Sequence, residues 1–340
     1  MSDFHCYGFG IGTKNSKGDW LEVYYPAPVF QPVADQVKPF KELLGYSDGN
    51  QVIELDNSQI DSLLTAVTGA EAELLQQLKT SDQPRVLTLI EKDEALTSTP
   101  EVYLKLHLLS LRYCQPNEQN LEGIYPLLPN VAWTEEGAID LDELPARQLA
   151  ARLQGRVLEV ASVDKFPKMT NYVVPAGVRV AHSARVRLGA HLGEGTTIMH
   201  EGFVNFNAGT LGQGMIEGRI SQGVTVGEGS DLGGSASTQG TLSGGGNIIV
   251  TIGKDCLIGA NAGTGIPLGD RCTIEAGLYI TAGVLIHVVD ENKHLVRVVK
   301  ARELAGQSDM LFIRNSETGQ IECRTNQRAI QLNDALHAHN

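Results

Sequence analysis

The sequence has little of what marks secreted, membrane-spanning or nucleic-acid-binding proteins. Its five cysteines are odd in number and scattered without a Cys-X-X-Cys spacing, which indicates small buried side chains in a reducing compartment. No apolar run is long enough to cross a bilayer, and the start of the chain has no signal-peptide pattern. The net charge of −13 argues against nucleic acid or an anionic membrane as a partner. We therefore expect a cytoplasmic protein in which an anionic ligand needs a local basic pocket.

Aromatic residues are also scarce, at 6%, whereas most of the 37 glycines lie between 177 and 283. In this stretch an aliphatic residue falls on every sixth position: Val174, Val180, Val186, Leu192, Ile198 and Val204. The phase returns at Ile220, Val226, Leu232, Ile252, Ile258, Leu268, Ile274, Ile280 and Ile286. This period is neither that of a helix nor that of an ordinary strand, and it predicts a parallel β-helix with the aliphatic side chains inside. The alternative is a glycine-rich β-sandwich with accidental spacing.

The rest of the chain predicts two flanking parts. Residues 1 to about 170 lack the hexad and carry strand-type and helix-type patterns, the strands at 21–25 and Arg85–Ile90, the helices over 56–79, after Pro100 and over Leu144–Leu153. After Ile286 the hexad fades, and 296–301 and Met310–Arg314 predict strands that close the prism. We predict an α/β domain at 1–170, a β-helix at 171–288 and a C-terminal β segment at 289–340.

Two glycine-rich stretches, 207–219 and 239–247, interrupt the hexad and predict loops that leave the rigid stack. The alternative for each is a tolerated insertion. Glu217-Gly218-Arg219 closes the first stretch, and a carboxylate beside a guanidinium can act as a base, a nucleophile or a substrate anchor. A solvated surface ion pair is the alternative. Thr241 to Gly246 is rich in glycine but lacks the lysine and the helix of a phosphate-binding P-loop.

Histidines and late basic residues offer further candidates. His182 and His200 are eighteen residues apart and should stack on the outer face, whereas His191 should face another side. That difference disfavours a three-histidine metal site like that of β-helix carbonic anhydrases. Lys300 and Arg314 follow the coil and could meet an anionic ligand along the prism wall, or be ordinary surface charges.

Several runs together resemble the tetrahydrodipicolinate N-succinyltransferases of lysine and diaminopimelate biosynthesis, in the branch with a long N-terminal domain. The runs begin at Met199-His-Glu-Gly-Phe-Val-Asn, Glu217-Gly-Arg-Ile-Ser, Gly240-Thr-Leu-Ser-Gly, Gly277-Leu-Tyr-Ile-Thr and Lys300-Ala-Arg-Glu-Leu, with Pro100-Glu-Val-Tyr-Leu in the N-terminal third. The resemblance implies a left-handed β-helix, against the usual right-handed crossover, in a homotrimer. It also implies succinyl transfer from succinyl-CoA to the amine of tetrahydrodipicolinate, without a tightly bound cofactor.

The resemblance further implies roles for individual residues. The acyl-anhydride carboxylate falls on Glu217, and an acyl-CoA contact falls on Arg219. Further CoA positions fall on Gly234, Ser237, Ala260, Glu275, Ala276, Gly283, Lys300, Ile313, Arg314, Asn315 and Ser316. Relatives can have a second basic residue where this chain has Ile313, which leaves more of the phosphate binding to Arg314. Some relatives hold Mg²⁺ on the three-fold axis with an Asp and a Glu, which here correspond to Ala184 and Glu201.

The function predicted from the sequence is therefore succinyl transfer to tetrahydrodipicolinate, giving N-succinyl-2-amino-6-oxopimelate, between adjacent subunits of a homotrimer. Glu217 is expected to act as a general base or as a nucleophile, and residue patterns do not decide between the two. One alternative is an acetyl-CoA-dependent acetyltransferase on the same scaffold, with His200 as the base. Another is a β-helix scaffold without catalytic activity.

Overall fold

The computed structural model describes residues 4–240 and 249–325, and they form two compact units. The first unit comprises the chain up to Leu108 together with Glu118–Pro167, and the second comprises Leu109–Asn117 and the chain from Lys168 onward. The domain boundaries predicted from the sequence remain predictions. Among the described residues, no helix is both long and apolar enough to cross a membrane.

The first unit is an α/β unit with two antiparallel sheets. Its helices are α1 (Ala34–Leu44), α2 (Asn57–Leu63), α3 (Ala70–Lys79), α4 (Thr99–Ser110, which ends in the second unit), α5 (Ile124–Leu127) and α6 (Leu144–Leu153). Its strands are β1 (Cys6–Lys14), β2 (Trp20–Tyr24), β3 (Val29–Phe30), β4 (Gln51–Glu54), β5 (Arg85–Ile90), β6 (Val131–Thr134), β7 (Gly137–Asp140) and β8 (Val160–Asp164). One sheet has the order β2-β1-β5-β4, with β3 also paired to β1, and the other has the order β7-β6-β8.

The helical pattern over 56–79 belongs to two helices rather than one. Asp56 caps α2, because its side chain accepts a hydrogen bond from the Gln59 N–H at 2.8 Å. The chain then breaks before α3, where Gly69 has φ +64°. Both helices pack Ile60, Leu63 and Leu75 into the core of the larger sheet.

A neutral histidine is buried in the same unit. His107 in α4 is fully buried, with Nδ1 2.7 Å from the Tyr103 carbonyl oxygen and Nε2 3.3 Å from the Tyr25 backbone N–H. This geometry fits the tautomer with the proton on Nδ1. Desolvation lowers the pKa of His107 from 6.5 to about 4, although the hydrogen bond to the Tyr103 carbonyl opposes the shift.

The second unit is a prism with three faces, and each face is a sheet of short parallel strands. Its strands are β9 (Arg179–Val180), β10 (Ala190–Leu192), β11 (Thr196–Ile198), β12 (Phe203–Val204), β13 (Ala208–Thr210), β14 (Gly214–Ile216), β15 (Arg219–Ile220), β16 (Thr225–Val226), β17 (Asp231–Leu232), β18 (Ser237–Thr238), β19 (Thr251–Ile252), β20 (Leu257–Ile258), β21 (Gly263–Thr264), β22 (Thr273–Ile274), β23 (Tyr279–Ile280), β24 (Leu285–Val289), β25 (Leu295–Lys300), β26 (Met310–Arg314) and β27 (Ile321–Thr325). Single 3₁₀ turns lie at Met169–Asn171, Ser183–Arg185 and Ala301–Leu304.

The three faces are parallel sheets through which the chain passes in turn. One face is β10-β13-β16-β19, the second runs from β9 through β11, β14, β17, β20 and β22 to β26, and the third is β12-β15-β18-β21-β23. Hexad residues from Val186 to Ile286 are buried inside, as predicted. The first two positions are exceptions. Val174 is 71% exposed, because it precedes the first coil strand, and Val180 in that strand is only partly buried.

The first predicted loop, 207–219, is wrong. Strands β13, β14 and the start of β15 fill this stretch and pair with the coils on either side. The hexad continues through buried Thr210 and Ile216, so a polar residue at one interior position concealed it. What changes here is the step from Ile216 to Ile220, both buried, which is four residues instead of six.

The coil that contains the second predicted loop, 239–247, is longer than the coil before it, although most of that loop lies outside the described residues. Ile216 pairs with Leu232, sixteen residues on, whereas Leu232 pairs with Ile258, twenty-six residues on. Residues 241–248, which include most of the run that begins at Gly240, lie outside the described residues.

The C-terminal segment extends the second face, which bears out the two strands predicted there. β26 pairs with β22 in parallel and with β27 in antiparallel register, while β24 pairs with β25 and β27. Arg271 and Asp309 join the coil to this segment through a two-point ion pair, with Nε–Oδ1 at 2.6 Å and Nη2–Oδ2 at 2.8 Å.

Candidate active site

Five of the predicted site residues lie on one edge of the prism, between the second face and the third: Glu217, Gly234, Ala260, Glu275 and Ala276. The chain turns this edge at 217–218, 233–236, 259–262 and 275–278 on successive coils. We call these four turns the Glu217 corner. It places Glu217, Gly234, Ala260 and Ala276 in a row along the prism axis, at the spacing of adjacent strands, about 4.8 Å per coil.

Glu217 lies in a notch in this row. Two residues, Glu217 and Gly218, separate β14 from β15, whereas four residues make the turn on the preceding coil (199–202) and on the next (233–236). The longer turns at 233–236 and 259–262 contain left-handed residues, Ser235 at φ 58° and Asn261 at φ 56°. The coil that carries Glu217 is therefore recessed between its neighbours, and the half-buried carboxylate is sheltered yet open to a ligand.

The absence of a side chain at two glycines keeps this notch open. A β-carbon at Gly234 would lie 3.4 Å from Cδ and Oε2 of Glu217, so any larger residue would touch the carboxylate. A β-carbon at Gly218 would lie 2.6 Å from the Ala236 carbonyl oxygen, so the short turn itself requires glycine. Among residues 4–240 and 249–325, no donor is hydrogen-bonded to the Glu217 carboxylate.

The row also offers backbone donors. Among the described residues, the N–H groups of Gly234, Ala260 and Ala276 make no hydrogen bond, while the residue before each donates to the next coil, as Gly233 does to Ile258 at 2.8 Å. The side chains of these three residues are absent or a single methyl, so a ligand can approach the backbone closely at each of them. Their N–H groups can bind carbonyl oxygens of a ligand laid along the row, including a developing oxyanion near Glu217.

Arg219 and Ser237 lie on the adjoining third face. Arg219 pairs with Ser237 across neighbouring coils, and both point outward because Ile220 and Thr238 beside them are buried. The Arg219 guanidinium makes no ion pair within the part of the chain that the structure describes. The Arg219 guanidinium therefore lies on the third face, two residues along the chain from the Glu217 carboxylate.

The far end of the row meets the C-terminal hairpin. The Arg314 backbone N–H donates to Glu275 Oε2 at 2.8 Å, so Glu275 holds the Ile313–Arg314 segment against the corner. Asn315 and Ser316 form the turn that follows, where Asn315 donates to Glu322 at 2.6 Å. That bond, followed by the Arg324 guanidinium, lowers the pKa of Glu322. Glu275 therefore positions the Ile313–Arg314 segment, a role that the sequence did not indicate.

Gly283 and Lys300 are brought together beyond β23. The Ala301 N–H donates to the Val284 carbonyl at 2.8 Å and the Arg302 N–H donates to the Ala282 carbonyl at 3.1 Å. Lys300 is exposed and makes no ion pair among the described residues. It is available to an anionic group.

Glu201 does not fit a magnesium ligand in this chain. Its Oε1 lies 2.9 Å from His200 Nδ1 and its Oε2 lies 2.8 Å from Arg185 Nη2. The hydrogen bond from His200, then the Arg185 charge, lower the pKa of Glu201. Each carboxylate oxygen is already engaged, one by His200 and the other by the Arg185 guanidinium, and Ala184 supplies no second oxygen ligand.

The histidines lie as predicted. The rings of His182 and His200 stack edge to face, with centroids 5.1 Å apart, while buried His191 bonds to the Thr210 carbonyl on another face. No group of three metal-ligating side chains occurs among the described residues.

One exposed side chain of the wall was not identified from the sequence. Tyr279 projects from the third face, with its phase given by buried Ile280, and its ring covers Gly263 on the preceding coil. The hexad could have shown that Tyr279 points outward, but not that it lies over that glycine.

Comparison with known proteins gives this site a context. Residues 249–282 match the model of the hexapeptide repeat of succinyl-transferase, and residues 128–168 match that of the tetrahydrodipicolinate N-succinyltransferase middle region. The 2,3,4,5-tetrahydropyridine-2,6-dicarboxylate N-succinyltransferase of Pseudomonas putida is 63% identical over 335 residues, covering 98% of this chain and 97% of its own. The enzyme of that name from Vibrio cholerae is 52% identical over 341 residues, covering 99% of each chain.

A solved structure agrees over nearly the whole length. It is a Campylobacter jejuni protein described as a 2,3,4,5-tetrahydropyridine-2-carboxylate N-succinyltransferase, with a TM-score of 0.88 and 31% identity, covering 97% of this chain and 94% of its own. The predicted fold, an α/β region followed by a left-handed parallel β-helix and a short C-terminal β segment, is confirmed.

Proposed function

Because the chain belongs to the tetrahydrodipicolinate N-succinyltransferase family, it is an acyltransferase, and we propose that it moves succinyl from succinyl-CoA to the amine of tetrahydrodipicolinate. Water adds to the cyclic imine of tetrahydrodipicolinate and opens the ring to a 6-oxo group and a free 2-amine, which takes the succinyl group. The products are N-succinyl-2-amino-6-oxopimelate and CoA. The observation that carries the proposal is the notch: a carboxylate with no protein partner among the described residues, at one end of a row of backbone N–H groups. This arrangement suits a thioester whose long arm lies along the row.

Glu217 is assigned the chemistry. As a base, its carboxylate takes a proton from the attacking amine; as a nucleophile, it attacks the thioester carbonyl, releases the CoA thiolate and forms an anhydride that the amine then opens. Either way negative charge develops on the thioester oxygen, and the Gly234 N–H beside Glu217 is a candidate donor to it. Arg219 on the wall suits the distal carboxylate of succinyl, which an acetyl donor lacks.

The rest of the row is proposed to bind the pantetheine arm of CoA. Ser237 lies on the wall, while Ala260 and Ala276 present their N–H groups in line with Gly234. Glu275 holds Ile313 and Arg314 at the far end of the row, with Asn315 and Ser316 beyond them. Lys300, next to Gly283, is the second cation available for CoA phosphates.

The active assembly is proposed to be a cyclic homotrimer with each site completed by a neighbouring subunit. A prism with flat outer faces and exposed side chains such as His182 and His200 suits packing around a three-fold axis. Solution scattering should give a mass of about 110 kDa, three times the 36.6 kDa chain. A monomer that is fully active would contradict this assembly.

The reaction is tested with purified protein, tetrahydrodipicolinate and either succinyl-CoA or acetyl-CoA, by measuring free thiol and by mass spectrometry of the product. Succinyl transfer that depends on the acceptor, with acetyl-CoA much poorer, is expected because Arg219 has no carboxylate to bind in the acetyl donor. Equal use of acetyl-CoA would favour the acetyltransferase alternative. No turnover with either donor would leave the scaffold alternative.

A further inference from the structure

The outward positions of the third face form a ladder beside the Glu217 corner. Arg219 pairs with Ser237, Ser237 with Gly263, and Gly263 with Tyr279, each on the next coil. At about 4.8 Å per coil, Gly263 is roughly 10 Å from Arg219 and level with the corner residue Ala260. The ladder thus runs parallel to the row of N–H groups.

The side chain of Tyr279 extends towards Gly263, its partner on the preceding coil. A β-carbon at Gly263 would lie 2.3 Å from Cε2 of the Tyr279 ring and 2.7 Å from Cδ2. The hydroxyl end of the ring, rather than its root, is therefore what a side chain at 263 would strike first. Glycine at 263 leaves the space that the Cδ2–Cε2 edge of the ring occupies beside the backbone, and the glycine is buried.

The rest of the Tyr279 side chain is partly exposed and can contact a ligand. Tyr279 is 38% exposed, and its hydroxyl makes no hydrogen bond within the described residues. A partly exposed tyrosine can pack its ring against an aliphatic ligand and donate a hydrogen bond from its hydroxyl to an amide carbonyl.

We propose that Tyr279, laid over Gly263, is a binding residue for the amide-containing arm of the acyl-CoA donor. This rests on the proposed function, since it assumes that the donor's acyl group lies at Glu217 and its arm along Gly234, Ala260 and Ala276. The ring then borders the arm level with Ala260, about two coils beyond the reacting carbonyl. It is too far along the ladder to touch the reacting atoms, so it contributes to donor binding and not to the chemical step.

The test measures KM for each substrate and kcat in Tyr279→Ala and Tyr279→Phe. For Tyr279→Ala we expect KM for succinyl-CoA to rise on the order of tenfold, with kcat and KM for tetrahydrodipicolinate unchanged, because uniform binding is lost. Tyr279→Phe keeps the ring and should show a smaller rise. Tyr125→Ala, at an exposed tyrosine of the first unit, is the matched control and should leave all three constants unchanged.

Gly263→Ala tests the contact itself. The added methyl would lie 2.3 Å from the ring and 2.7 Å from the Ser237 carbonyl oxygen, so this variant should raise KM for succinyl-CoA by displacing the ring. Its melting temperature, compared with that of Tyr279→Ala, measures how much the coil itself is strained. Unchanged KM for succinyl-CoA in Tyr279→Ala, or a rise in KM for tetrahydrodipicolinate instead, would overturn the proposal.

Calorimetric titration of succinyl-CoA without acceptor separates this proposal from the proposed function. Wild-type protein that binds succinyl-CoA but transfers nothing would contradict the function, while weaker binding by Tyr279→Ala would still support the role of the ring. Equal binding by both proteins would overturn that role even if the wild type is an active succinyltransferase.

Discussion

Gly234 lies directly against Glu217 across neighbouring coils, so that a methyl at 234 would be 3.4 Å from the carboxyl carbon. Such a contact is ordinary van der Waals distance, and the backbone of Gly234 is not in the left-handed region. Gly234→Ala should therefore fold normally but fill the space that a thioester needs. We expect a large loss of kcat/KM with an unchanged melting temperature, measured by steady-state kinetics and calorimetry. Normal turnover would show that the reacting carbonyl lies elsewhere.

Glu217→Gln should retain the fold and bind CoA, yet lose on the order of 10²-fold or more in kcat, as for the loss of an acid–base group or nucleophile. Glu228→Gln is the matched control, because Glu228 is an exposed carboxylate on another edge of the prism, paired with Lys254. Rapid quench with labelled succinyl-CoA and no acceptor then asks whether a covalent intermediate forms. Near-normal turnover by Glu217→Gln would move the assignment to His200.

Lys300→Ala and Arg314→Ala should each raise KM for succinyl-CoA more than they lower kcat, because the chain is acidic overall and CoA phosphates need local cations. Arg314 is partly engaged, since its Nη1 donates to the Gly319 carbonyl at 3.0 Å, so the larger effect is expected at Lys300. Lys254→Ala, at a surface lysine paired with Glu228, is the control. If both variants keep the wild-type KM, the phosphates bind at other residues.

Dialysis against a chelator should leave activity unchanged, because His200 and Arg185 already occupy the Glu201 carboxylate. The measurement is turnover before and after chelation, with magnesium and calcium added back separately. Activity that is abolished and restored by magnesium alone would show that a trimer-axis metal matters despite Ala184.

Stability should depend on pH through His107. Its pKa is lowered to about 4 when folded, so between pH 6.5 and 4 the unfolded chain binds the proton that the folded chain excludes. The free energy of unfolding should fall as pH drops through this window, by up to about 3 kcal/mol from this group. Thermal unfolding at a series of pH values measures it. His107→Asn should flatten the slope, and an unchanged slope would assign the effect to other groups.

The sequence predicted interior positions well and turns poorly. The hexad located buried residues from Val186 to Ile286 because aliphatic side chains fill most of the inside of the narrow prism, and it missed the interior position that Thr210 occupies. The hexad pattern did not distinguish a two-residue turn from a loop. It therefore predicted a loop at 207–219, where the structure has strands and the short turn of Glu217 and Gly218. Likewise, helical spacing continued across Gly69 although the backbone breaks there.

The candidate site was found through family resemblance more than through chemistry. Glu217 and Arg219 are two residues apart in sequence, but the row that Glu217 shares with Gly234, Ala260 and Ala276 exists only once the coils stack. The contact of Tyr279 with Gly263 likewise joins residues sixteen positions apart. The cytoplasmic location and the absence of nucleic-acid or membrane partners remain predictions from composition.

β26 pairs with β22 at the end of the second face, although β26 lies outside the hexapeptide repeat. A stack of identical rungs has no inherent length, since each exposed backbone edge is a template for another strand. By folding Met310–Arg314 back onto that edge and fastening it through Arg271 and Asp309, the chain ends its own growth. Without this closure the same architecture that positions the notch would favour end-to-end polymerisation into fibres.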